Sequence, residues 1–104
     1  MSKFIEGAPT KGEFAQAVNS TFRAHVDKDR LLDLCLVEFD DSASTEVQEC
    51  FSLLFRAPVD APPVQSIYRL TNETLGAMDL FLVPVRKDDG GLYYEAVFNR
   101  FLNQ

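Results

Sequence analysis

The chain has no tryptophan, one histidine, two cysteines, five glycines and five prolines in 104 residues. With His25 alone, a histidine-based triad can run only through that residue, and no G-x-S-x-G elbow accompanies it. H-E-x-x-H, the Walker pattern, G-x-G-x-x-G and paired C-x-x-C are all absent. Long apolar runs are missing too. The longest cluster, 78–85, is broken by Asp79 and Pro84 and falls well short of the roughly 20 apolar residues of a membrane span. The first seven residues meet Glu6 before any apolar run of signal-peptide length. These features read as a soluble, cytoplasmic protein that does not engage a membrane.

Basic side chains are also scarce, 10 against 16 acidic ones, for a net charge of -6 and a pI near 4.6. Such a surface repels nucleic-acid phosphate, so no nucleic-acid partner is expected. Cys35 and Cys50 are too few and too far apart for a redox or zinc motif. Both sit in apolar runs and read as small buried hydrophobes in a reducing compartment, with a disulfide left open should their strands pair.

What is present is apolar bulk. Hydrophobic residues make up 46% of the chain and include nine phenylalanines and three tyrosines, enough for one small core. Length and the lack of repeats or linkers give a single domain over 1–104, with 1–9 as a loosely held arm. Thr10 and Glu13 form an S/T-x-x-E capping box, and Phe14, Ala17 and Val18 follow at helical spacing, which predicts a helix over 11–18. From Thr21 the period changes to two. Phe22, Ala24 and Val26 share one face, 27–30 is a polar turn, and 31–40 has the length of a long strand, so this pair reads as a β-hairpin.

The run 47–55 fits two periods. Val47, Cys50, Phe51 and Leu54 make a helical stripe, whereas Phe51, Leu53 and Phe55 alternate before Pro58. The aromatic content favours a strand over 49–56, with those three residues in the core and Leu54 less buried. Residues 58–63 form a proline loop, 64–70 and 78–85 read as strands, and Pro84 belongs at an edge or bulge. Asp88-Asp89-Gly90-Gly91 is a turn leading into a last strand over 92–101. About six strands at short spacing behind one short helix predict an all-β fold, a small antiparallel barrel or sandwich.

Three stretches taken together, 50–58 (CFSLLFRAP), 80–85 (LFLVPV) and 94–100 (YEAVFNR), with 64–70 and Leu75-Gly76 between them, resemble a family of small bacterial all-β domains of unknown function. The resemblance runs from about Phe14 onward. It implies relatives encoded beside proteins like phage tail-collar or tail-fibre modules, and it brings no catalytic residues with it. Asn72, Glu73 and Thr74 at the tip between Tyr68 and Leu80 depart from the family pattern.

Charged residues within strands are the candidates for a site. Glu38 lies inside an apolar strand, and Arg56, Arg69, Glu95 and Arg100 lie within or just after others. A buried carboxylate is costly unless paired, so this candidate polar cluster reads either as a pocket or as structural Glu–Arg pairs between strands, the second being preferred. Glu95 should point away from Tyr94, Ala96 and Phe98, and Arg100 should share their inward parity, with Glu38 as its best partner. His25 reads as a solvent-facing strand residue. Asp27, Asp29, Asp33, Asp40 and Asp41 read as solvated turn carboxylates, since none follows a calcium-loop pattern. No cofactor, metal or catalytic residue is expected. The N-x-[ST] matches at Asn19 and Asn72 are empty without a secretory signal.

The leading expectation is a non-enzymatic protein-binding or assembly module, accessory to a phage-tail-like structure. The alternative is a small ligand-binding or enzymatic barrel with a Glu/Arg-lined pocket. An acidic inhibitor that mimics nucleic acid is the outsider, since 27–50 holds eight carboxylates against Lys28 and Arg30.

Overall fold

The computed structural model describes residues 9–101 of the chain, and at 100 and 101 the backbone only. Residues 1–8 of the expected arm and the Arg100 side chain lie outside it. Thr10 caps a short helix α1 (Lys11–Gln16): its hydroxyl accepts from the Glu13 backbone N–H, and the Glu13 carboxylate accepts from the Thr10 N–H. The helix stops two residues earlier than the spacing predicts. Ala17 closes it, and Asn19 at φ 76° turns the chain into the first strand.

Six strands follow: β1 (Thr21–Asp27), β2 (Arg30–Asp40), β3 (Gln48–Ala57), β4 (Ser66–Asn72), β5 (Gly76–Asp88) and β6 (Gly91–Phe101). They form a closed antiparallel barrel in the order β1-β2-β3-β6-β5-β4, with β4 returning to β1. The run 47–55 is strand, and its burial alternates as a pleated surface requires. Phe51, Leu53 and Phe55 point inward and are at most 2% exposed, while Leu54 is half-buried on the outside. The disulfide left open by the cysteines does not form. β2 and β3 do pair, but Cys35 stands opposite Arg56 and Cys50 opposite Asn99, and both thiols are free and half-buried.

The two barrel ends are closed by different chemistry. At one end Phe14 is fully buried and packs on Phe51 and Phe98, whose rings stack at 4.7 Å. Burying one such ring contributes roughly 1.5–3 kcal/mol. At the other end the proline loop 58–65 folds over the opening. The Tyr68 hydroxyl donates to the Val64 carbonyl at 2.6 Å and the Tyr94 hydroxyl donates to the Pro62 carbonyl. These bonds satisfy both phenols where the rings enter the core. Gly91 has φ 150°, and a Cβ there would lie 2.1 Å from the Ala57 carbonyl oxygen, so β6 approaches β3 more closely than a side chain permits. The space remaining among Ala24, Val26, Leu34, Tyr68, Leu82 and Tyr94 admits no water molecule. The barrel interior is therefore a packed core.

Candidate functional site

With the interior filled, the outer surface has to supply any binding chemistry. Residues paired across antiparallel strands share a face, so the register locates each candidate. Glu38 stands opposite Leu54, and Leu54 opposite Glu95, which places both carboxylates in one row on the outside of β2, β3 and β6. Arg56 lies one outward position further along β3, opposite Cys35 and Tyr93. Glu38 and Arg56 are exposed and Glu95 is half-buried. None of the three makes an ion pair among the described residues.

Glu38 departs from the parity of its own strand for a definite reason. Leu34 and Leu36 point inward, and simple alternation would send residue 38 inward after them. The register slips between Leu36 and Glu38, a β-bulge that inserts Val37. Phe39 thereby takes the next inward place opposite Leu53, and Glu38 turns to solvent. No buried carboxylate arises.

Arg69 sits apart from the other candidates. Its guanidinium contacts Asp79 at 2.7 and 3.5 Å, across the β4–β5 ladder. Arg23 makes the same kind of pair with Asp33 at 3.1 Å across β1–β2. Arg69 thus takes part in a cross-strand ion pair on the surface, with an aspartate in place of the expected glutamate. His25 is exposed between Leu31 and Arg69, as its alternation predicts. Glu95 points outward, away from Tyr94 and Ala96. Among the described residues no group of three or more His, Cys, Asp or Glu could hold a metal ion.

The side chains that strand parity leaves without cover are apolar. Ile67 and Phe81 are cross-strand partners on the outside of β4 and β5, 68% and 52% exposed. Val83 follows Phe81 on the same face and stands opposite Glu95. Val97, 57% exposed, lies one outward position beyond Glu95 on β6 and opposite Ser52 on β3. Together with Leu54 these residues form an apolar band across β4, β5, β6 and β3, interrupted by Glu95 between Leu54 and Val83 and bordered by Glu38 beyond Leu54. The sequence signal for this band is the unbroken run from Leu80 to Val83. In a barrel strand every second residue of such a run must face out.

A second feature is a groove of about 550 Å³ lined by Ser20, Thr21, Arg23, Thr71, Asn72, Glu73 and Thr74. Its best polar groups are engaged with one another. The buried Asn72 amide donates to the Ser20 hydroxyl and the Thr21 carbonyl, and its oxygen accepts from the Thr74 and Leu75 N–H groups. Arg23 is held by Asp33. Asn72, set within an apparent recognition tip, is thus a structural tie between β1 and the β4–β5 turn. Among the described residues the Thr71, Glu73 and Thr74 side chains make no hydrogen bond or ion pair, and they are the few groups the groove leaves free to fix a ligand.

No helix among the described residues is long and apolar enough to cross a membrane. The family model of a domain of unknown function, DUF6916, matches residues 9–98. Neither a curated protein nor a solved structure matches the chain.

Proposed function

The chain belongs to the DUF6916 family of domains of unknown function, and from its own surface we propose that it is a non-enzymatic protein-binding module whose partner docks on the outer face of β3, β4, β5 and β6. The observation that carries this reading is the Ile67–Phe81 pair, continued by Val83, Val97 and Leu54, left facing water on a barrel whose interior is already full. Contiguous apolar area on a soluble domain is costly to expose and marks interaction surfaces. Aromatic and branched aliphatic side chains with few charges among them match the core of a protein interface, and Glu38 lies at its rim. The resemblance to domains encoded beside phage tail-collar-like proteins supplies the setting, an accessory or assembly role in a phage-tail-like structure, carried out in the cytoplasm.

The test compares two immobilised proteins in extracts of the native host. The wild type should retain a defined partner that the Ile67→Ser/Phe81→Ser double variant loses, at equal folded content by circular dichroism. A partner retained equally by both would place the interface elsewhere.

A further inference from the structure

The β5–β6 ladder is incomplete in a way that specifies an occupant. Its pairs run from Asp88↔Gly91 to Val83↔Glu95 and stop there. Beyond that point β5 continues through 76–82 bonded only to β4, and β6 continues through 96–101 bonded only to β3, among the described residues. Continued in register, the ladder would set Phe81 opposite Val97; instead no ladder pair joins the two strands there among the described residues, which leaves a slot in the hydrogen-bonded ladder of the closed barrel. Among the described residues alternate backbone N–H and C=O groups on each edge have no strand partner, and such groups take up an added strand readily. Residues 76–82 carry neither lysine nor proline, the usual means of blunting an edge.

We infer that this slot accepts one extended segment of a partner protein, which adds a strand between β5 and β6 by main-chain pairing. The inference rests on the protein-binding reading above and names its mode. A single extended segment has two free edges and satisfies β5 and β6 at once. In a folded second copy each unmatched strand is already bonded along its other edge and can satisfy only one side. The inserted strand needs roughly two strand spacings, about 10 Å, and therefore spreads the two strands from the point where their pairing ends. Phe81 and Val97 on the outer rim give its alternate side chains apolar contact. Glu95, opposite Val83 at the last pair of the ladder, favours lysine or arginine at the position beside it.

The experiment uses the full chain and two acetylated, amidated eight-residue peptides. One alternates isoleucine and lysine; the other has the same pattern with prolines at its third and fifth positions, which cannot add a strand. Titration followed by fluorescence anisotropy should show the alternating peptide binding at least tenfold more tightly. Alternate amides within 76–82 and 96–101 should exchange quickly in the free protein and become protected in that complex. Phe81→Lys and Val97→Lys, at exposed positions, should keep the melting temperature while weakening the peptide at least tenfold. Equal binding of both peptides without new protection overturns the strand insertion but leaves the protein-binding reading standing. Protection of those amides in the free chain overturns it as well, because the chain then fills its own slot. Protection that grows with protein concentration replaces the partner by a second copy. Binding of neither peptide likewise contradicts the inference.

Discussion

Two regions of the barrel's outer surface treat their side chains differently. Across β1–β2 and at one pair of β4 and β5, arginines and aspartates stand opposite each other as Cα partners, Arg23 with Asp33 and Arg69 with Asp79. On β3, β6 and the outer run of β5 the equivalent partners are Leu54 with Glu95, Ser52 with Val97, and Val83 with Glu95. The first surface satisfies its own charges. The second leaves apolar area in water and Glu95 without an ion-pair partner among the described residues. Both surfaces back onto the same core, so core packing does not explain the contrast. A surface that uses up its own chemistry has little to offer a partner, and the incomplete one is where binding belongs.

The largest test of this contrast removes what the two surfaces share. Phe14→Ala should cost about 3–5 kcal/mol in urea unfolding, because a fully buried ring leaves a cavity between Phe51 and Phe98. Both surfaces should loosen together; amide exchange confined to one of them would show that they do not rest on a common core. Asn72→Ala should cost roughly 1–3 kcal/mol, since the Ser20 hydroxyl, the Thr21 carbonyl and two turn N–H groups lose their partner. Its effect should centre on the β1–β4 seam and spare peptide or partner binding on the other side.

The proline-loop end gives a pH test. Burial, with the Tyr68 phenol beside it, holds the Tyr94 hydroxyl protonated well above the ordinary tyrosine range. A folded-state value above the unfolded one means that this contribution to stability is whole below about pH 10 and fades as the pH rises beyond it. Tyr94→Phe should lower stability at neutral pH by about 0.5–1.5 kcal/mol and flatten the alkaline loss seen in the wild type. An equally steep alkaline loss in the variant would place its cause elsewhere.

Smaller effects separate the two surfaces directly. Arg69→Ala should cost only about 0.2–1 kcal/mol, reduced further by salt, as exposed cross-strand pairs do. A double-mutant cycle with Asp79→Ala measures the coupling, and a value near zero would remove the claim that this surface holds itself together. Least of all, Ile67→Ser with Phe81→Ser should change stability by no more than about 0.5 kcal/mol, as exposed positions do. A large loss in thermal melts would make those side chains structural and erase the contrast.

Much of the fold was legible because each local signal agreed with its neighbours. Thr10 and Glu13 announced the helix, alternation placed Phe22, Ala24, Phe51, Leu53 and Phe55 inside, and Pro84 fell beside a register shift as its missing donor requires. Closure into a barrel and the adjacency of β3 with β6 were not legible, since they depend on pairings between distant segments. Glu38 was misleading because a single bulged residue, Val37, reverses parity without any glycine to mark it. The polar candidates drew attention for their cost if buried, yet the barrel keeps the described ones at its surface. The apolar band was visible in principle: Leu80 to Val83 has no polar residue for the outward positions. Asn72 reads in the sequence as a turn residue, and its role as a tie was hidden because two of its four side-chain bonds reach more than fifty residues back.

The most direct test places a photo-crosslinking benzoylphenylalanine at position 81 in one version of the protein and at position 23, on β1, in another, and irradiates both in the native host. Crosslinks from position 81 to a discrete protein partner, with none from position 23, are the predicted result. A partner captured from position 23 and absent from position 81 would contradict it, because binding would then use the surface that the Arg23–Asp33 pair already occupies.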